Sequence, residues 1–160
     1  MEMGIVKILF IIYSSVGKLT YNEFIDEICD NGMKEVDNLP KTIFDSNLPQ
    51  YDKSQYFSYK SEDFLIFLEA LGINTDILQA RVSIHIKRPI LSFLSRTQNY
   101  YDLLVDLLTE AYGDGYSLNH PAVKNMLNFQ NDNQVAYIHV VRQNKLDIIT
   151  INTGNRKYYG

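Results

Sequence analysis

The chain has 160 residues, a mass of 18.6 kDa, 46% hydrophobic residues and a formal net charge of −4. This length and apolar content suffice for a packed core and exclude a disordered chain or one that needs disulfides to fold. The acidic balance disfavours nucleic acid as a partner, because nucleic acids are bound mainly through Lys and Arg, and it agrees with a protein partner that is basic.

The first predicted element is a strand over residues 5–13, because β-branched and aromatic residues follow one another there with little polar interruption. This apolar run is too short to cross a membrane, and no signal-peptidase site follows it. We therefore expect a cytoplasmic protein that has no membrane partner.

A helix over residues 21–31 is predicted next, because Thr20 and Glu23 match a capping box. The single cysteine, Cys29, is expected to be a buried and inert thiol on this helix. We interpret the loop over residues 13–20 as a plain connection between the strand and the helix. The alternative is an anion site in which the helix amides point at the ligand.

Residues 33–60 are irregular in pattern, and the only strand that we predict there is a short one near residues 56–59. Ser61, followed by two acidic residues, predicts the start of a second helix. Its core face would carry the apolar residues Phe64, Leu65, Phe67, Leu68 and Leu71.

Residues 81–87 alternate between polar and apolar side chains, which predicts a strand with one buried face. A third helix is predicted over residues 97–112. A short fourth helix begins at Pro121 and has Met126 and Leu127 on its core face. The strand predicted over residues 81–87 would turn Val82, Ile84 and Ile86 inward and Arg81, Ser83, His85 and Lys87 outward.

Residues 134–142 and 146–152 predict a C-terminal β-hairpin. The elements together predict an α+β fold with one domain over residues 1–152 and a polar tail over residues 153–160. Its sheet would have four to five strands, partly antiparallel, with about four helices packed on it.

An acidic residue recurs at every fourth position of the predicted third helix, at Asp102, Asp106, Glu110 and Asp114. Side chains four apart are neighbours on a helix, and like charges there destabilise it. One interpretation is a ridge that binds a basic protein, because complementary charges orient the encounter. The other is a solvated outer face. We predict no metal site, because no His joins these acids and a Ca²⁺ loop needs oxygens at every second residue.

Tyr51, Tyr56 and Tyr59 form an aromatic cluster before the predicted second helix. Tyrosine is common at protein–protein interfaces, because its ring is rigid and largely apolar while its hydroxyl can still form hydrogen bonds. The cluster therefore predicts either a partner-binding surface or rings that pack the loop onto the domain.

The segments around His85 and His139 share the order apolar, His, apolar, any residue, Arg. This pair resembles the two-histidine phosphoesterases, whose motifs are His-x-Thr/Ser on facing strands. The resemblance implies a hydrolase of phosphate esters in which the two histidines act as general acid and base. It covers about a dozen residues, and Lys87 and Val141 stand where that family has its hydroxyls.

The chain has no nucleophile–base pair, metal-ligand cluster or glycine-rich nucleotide loop that indicates an enzyme. We therefore predict a small cytoplasmic protein-binding module without a cofactor. The predicted type is an immunity or inhibitor protein that neutralises a basic partner such as a bacterial toxin, and a phage-encoded inhibitor would have the same sequence features. The alternative is the phosphoesterase that uses His85 and His139.

Overall fold

The computed structural model describes residues 3–39, 50–61, 64–87, 102, 106, 118–119, 126–130, 132–143 and 146–159. The helices whose full length it describes are α1 (Met3–Ser15), α2 (Tyr21–Asp30) and α3 (Arg156–Tyr159). Its strands are β1 (Lys34–Val36), β2 (Lys53–Lys60), β3 (Phe64–Ile73), β4 (Asp76–Lys87), β5 (Leu118–Asn119), β6 (Met126–Gln130), β7 (Gln134–Gln143) and β8 (Leu146–Asn155).

The strands form one eight-stranded sheet in the order β1-β2-β3-β4-β8-β7-β6-β5, and every neighbouring pair is antiparallel. The predicted fold, a four- to five-stranded and partly antiparallel sheet with about four helices packed on it, is therefore wrong. The sheet is larger because apolar segments that have the composition of buried helices are strands. The predicted C-terminal hairpin is present as β7 and β8.

The N-terminal apolar run is helix α1 and not the predicted strand. A run that is apolar on all sides fits either element, so its periodicity does not decide between them. The sheet already places apolar side chains on one face, and α1 covers them. Ile8, Leu9 and Ile12 of this helix are fully buried in the hydrophobic core.

The predicted second helix is also wrong, because Phe64–Ile73 is strand β3. Leu68 pairs with Phe57 on one side and with Val82 on the other, so β3 lies inside the sheet. A central strand of this kind is apolar on both faces and can read as a buried helix. The same holds for Met126 and Leu127, which begin strand β6 instead of lying on a fourth helix.

The inward face of the sheet is built from rows of apolar side chains that cross several strands. In the central row the residues are paired in register and all of them are buried: Phe57, Leu68, Val82, Ile151 and Ile138. This row belongs to the same core cluster as the buried side chains of α1 and α2. The helices therefore cover this face, and the alternate residues of each strand lie on the opposite face.

Helix α2 begins as the capping box predicts. The Thr20 hydroxyl accepts a hydrogen bond from the Glu23 backbone N–H at 3.2 Å, and Glu23 Oε1 accepts one from the Thr20 N–H at 3.0 Å. Tyr21, Phe24 and Ile28 form its buried face. Gly72 of β3 lies directly beneath the Tyr21 ring, since a Cβ at Gly72 would be 2.7 Å from it. Because Gly72 has no Cβ, the Tyr21 ring packs directly on the backbone of β3, and this contact positions α2 on the sheet.

The chain remains in the sheet beyond residue 152, in the segment where the sequence predicts a polar tail. Thr153 and Asn155 are buried in β8, and α3 follows. The side chain of Asn155 holds this segment in the sheet, because its amide donates a 2.9 Å hydrogen bond to the Ile77 carbonyl of β4.

Candidate functional site

The exposed face of α2 carries a stripe of four acidic side chains, which we call the α2 acidic stripe: Glu23, Asp26, Glu27 and Asp30. Their spacing of three and four residues places them on one side of the helix. All of them are exposed, whereas the opposite side of the helix is buried in the core. The helix has no Lys or Arg, so nothing within it offsets this charge.

Two side chains of α2 have pKa values that are raised by burial and by nearby acidic residues. Partial burial first, and then the charges of Glu35, Asp26 and Asp30, raise the pKa of the Cys29 thiol. Burial and Glu35 raise the pKa of the Tyr21 hydroxyl to about 12. The carboxylate of Glu35 therefore adds a negative charge close to α2.

Cys29 is exposed, so its predicted burial is wrong. The core face of α2 follows Tyr21, Phe24 and Ile28, and the residue after Ile28 is turned about a quarter of the way around the helix. The raised pKa keeps the thiol protonated at neutral pH. Its exposure therefore does not make it a reactive nucleophile.

Of the four acids predicted as a ridge, the structure describes two. Asp102 and Asp106 lie in helical backbone, and both are exposed. Glu110 and Asp114 lie outside the described residues. The ridge as a whole therefore stays a prediction, while the α2 acidic stripe is a second acidic helix face that the same four-residue spacing in the sequence would have revealed.

The three predicted interface tyrosines have different surroundings. Tyr51 is exposed. Tyr56 and Tyr59 lie on β2 and are half-buried, and Tyr59 packs against the core with its ring stacked on Phe64 at a centroid distance of 6.3 Å. Tyr59 therefore supports the fold, and Tyr51 is the most exposed of the three side chains.

His85 and His139 lie on the same face of the sheet, opposite the helices. His85 is on β4 and His139 is on β7, with β8 between them. Two strand spacings and an offset of two residues place their Cα atoms roughly 12 Å apart. Two catalytic imidazoles must lie within hydrogen-bond reach of one substrate group. This separation weighs against an acid–base pair.

His85 is held in place by its neighbours on that face. A 2.9 Å hydrogen bond joins its Nε2 to the Ser83 hydroxyl, and its ring meets the Phe67 ring edge-on at a centroid distance of 5.1 Å. Burial lowers the pKa of His85 below the ordinary value of 6.5. Ser83 is fully buried, so this part of β4 does not point into solvent as the alternation predicts.

The lowered pKa of His85 predicts a pH dependence of stability. Between the folded pKa and 6.5 the unfolded chain binds more protons at this position, so the free energy of unfolding falls as the pH drops below 6.5. We expect His85→Gln to make the dependence shallower between pH 6.5 and 5. Denaturant unfolding of both proteins across this range is the measurement, and an unchanged slope would contradict the burial of a neutral imidazole.

A buried ion pair that the sequence does not reveal lies on the same face of the sheet as the two histidines. Arg81 Nη1 lies 3.3 Å from Glu69 Oε1, and the two residues are 5% and 9% exposed. Burial raises the pKa of Glu69, and the charge of Arg81 opposes this rise. Glu69 and Arg81 are opposite each other in the β3–β4 register, which brings the two side chains together. The sequence does not indicate this contact, because it predicts a helix, and not a strand, at Glu69.

Metal-ligating clusters and membrane-spanning helices are both absent from the part of the chain that the structure describes. Within those residues no three His, Cys, Asp or Glu side chains are grouped so that they could hold a metal ion. None of the helices described is both long enough and apolar enough to cross a membrane.

Comparison with known proteins gave no match. No protein-family model, no curated protein and no solved structure matches this chain.

Proposed function

We propose that this chain is a cytoplasmic protein-binding module that docks a partner with a basic surface through the α2 acidic stripe. The observation that carries the proposal is the exposed side of α2, where four acids follow one another at helical spacing without a base. Opposite charges on two proteins raise the association rate and orient the encounter.

The stripe is costly to the helix that carries it. Glu23 and Glu27, and Asp26 and Asp30, are like charges four residues apart, and each such pair destabilises a helix by a few tenths of a kcal/mol. Asp30 also ends the helix, where the macrodipole favours a cation. Core packing requires only Tyr21, Phe24 and Ile28, and Glu23 completes the capping box, so Asp26, Glu27 and Asp30 are the acids that serve the surface and not the fold.

The type of partner that we favour is a protein whose active surface is basic. An immunity or inhibitor protein that neutralises a bacterial toxin has this task, and so does a phage-encoded inhibitor. Net charge supports this type, since the whole chain is acidic at −4. A single cysteine, which leaves no disulfide within the chain, agrees with a reducing cytoplasm.

The test compares two pairs of aspartates that are matched in chemistry and spacing. Asp26→Asn/Asp30→Asn removes charge from the α2 acidic stripe, and Asp102→Asn/Asp106→Asn removes the same charge from the other exposed helical pair. A partner captured with the wild-type chain from native lysate is purified, and its association rate with each variant is measured. At low salt we expect the α2 variant to associate about fivefold to tenfold more slowly, with the difference shrinking at high salt.

The second pair decides between the two acidic surfaces. If Asp102→Asn/Asp106→Asn slows association and the α2 variant does not, the partner binds the predicted ridge instead of the α2 acidic stripe. Equal association rates for all three proteins at low salt would contradict electrostatic docking by either surface. Circular dichroism of both variants checks that the helices remain folded.

A further inference from the structure

A polar pocket lies where four turns of the chain meet at one end of the sheet. Its volume is about 520 Å³, within the usual range for small-molecule sites. It is lined by the α1–α2 turn, by Asp76 at the start of β4, by the β6–β7 turn and by the end of β8 with the start of α3. Leu19 is the one apolar side chain among the lining residues that the structure describes, so the pocket suits a polar ligand.

The charges of the pocket favour an anion. Three of its lining residues are basic: Lys18, Arg156 and Lys157. Two are acidic, and of these Asp76 already accepts hydrogen bonds from the Tyr158 hydroxyl at 2.6 Å and from Lys157 Nζ at 3.3 Å. Asp132 is the second acid, so the lining residues that the structure describes carry three positive charges against two negative ones.

The walls of the pocket are tied to one another without a ligand. Gly17 has a φ of 88° and touches the Asn133 carbonyl so closely that a Cβ would lie 2.5 Å from its oxygen. The same carbonyl accepts a 3.0 Å hydrogen bond from the Arg156 N–H. On the other side, the Tyr21 N–H donates to the Thr75 carbonyl at 2.9 Å. A site fixed in this way loses little entropy when it binds.

The amides at the start of α2 are not the anion site that the loop sequence offers as an alternative. The Glu23 carboxylate occupies that position, because it accepts the Thr20 N–H in the capping box. An anion in the pocket must therefore be held by the basic side chains that surround it.

We propose that this pocket binds a small anionic molecule through Lys18, Arg156 and Lys157. The anionic group is a phosphate or a carboxylate, which are the two groups that Lys and Arg bind with charge-assisted hydrogen bonds. The site lies beside α2 but uses none of Asp26, Glu27 and Asp30, so it is independent of the proposed protein docking.

The test uses inorganic phosphate and succinate as probes, at constant ionic strength and with amide resonances of the full chain as the readout. We expect one or both probes to shift the amides of Gly17, Lys18, Asn133 and Arg156 in a saturable way. Lys18→Ala/Arg156→Ala should weaken that binding at least about tenfold. The matched control, Lys34→Ala/Lys60→Ala, removes two exposed lysines from β1 and β2, away from the pocket, and should change the affinity less than twofold.

Saturation by phosphate or by succinate supports the proposal and identifies the anionic group. Shifts that do not saturate with either probe overturn it. Equal weakening by the two double variants also overturns it, because it would show general attraction to surface lysines. Thermal unfolding of both variants separates a lost site from a lost fold.

Discussion

Replacing Arg81 with Met is expected to lower the free energy of unfolding by about 3–5 kcal/mol. Arg81 and the Glu69 carboxylate that it contacts at 3.3 Å are both buried. Removal of the cation leaves the carboxylate in a site that already raises its pKa by burial. Denaturant unfolding at pH 7 measures the loss.

Two further measurements separate the ion pair from simple packing. In Arg81→Met the pKa of Glu69 rises further, so its proton is bound in the folded state and released on unfolding. Stability from this proton is present below the unfolded pKa and is lost as the pH rises, so the deficit should shrink toward pH 4. Arg81→Met/Glu69→Leu, which removes both charges, should lose far less than Arg81→Met alone. Equal losses would contradict the pairing.

The elements that could be predicted from the sequence are those whose signals are local. The capping box of Thr20 and Glu23 defines the start of α2 by two hydrogen bonds within one turn. Alternation defines β4, and the β-rich segments on either side of a short loop define β7 and β8. In each of these elements the signal and the structure lie in the same few residues.

The elements that were predicted wrongly are those whose conformation depends on distant partners. Phe64–Ile73 becomes a strand because β2 and β4 pair with it on both sides, and no local residue records that pairing. Met3–Ser15 becomes a helix because the sheet provides an apolar face for it to cover. One apolar segment that was predicted as a strand is a helix, and another that was predicted as a helix is a strand. The number of strands in the sheet could therefore not be derived either.

The candidate sites also differ in whether a local sequence pattern or only the tertiary structure reveals them. The α2 acidic stripe is a local pattern, and the spacing of Glu23, Asp26, Glu27 and Asp30 was readable in the sequence. The buried Glu69–Arg81 pair and the anion pocket required tertiary structure. The pocket brings Lys18 beside Arg156, and only the fold joins positions so far apart in the chain.

Phe24→Ala and Phe10→Ala form a matched pair that tests how firmly the sheet holds its two long helices. Phe24 of α2 is fully buried, whereas Phe10 of α1 is 41% exposed. We expect Phe24→Ala to lower the free energy of unfolding by about 3–5 kcal/mol, because it removes apolar contacts and leaves a cavity. Phe10→Ala should cost less than about 1 kcal/mol, since Phe10 is already partly exposed to water. Similar losses in both variants, measured by denaturant unfolding, would contradict the packing of α2 described above.

The Phe24→Ala variant also tests whether the proposed docking depends on the packing of α2. The α2 acidic stripe has a defined orientation only while Phe24 fixes the helix on the sheet. Phe24→Ala should therefore accelerate dissociation of a captured partner even under conditions where the chain remains folded, because the partner must then order a looser helix on binding. Its association at low salt should change little, since all four acids remain. Loss of charge and loss of rigidity thus act on different rates, and if Phe24→Ala slowed association while dissociation stayed unchanged, the partner would not bind through α2.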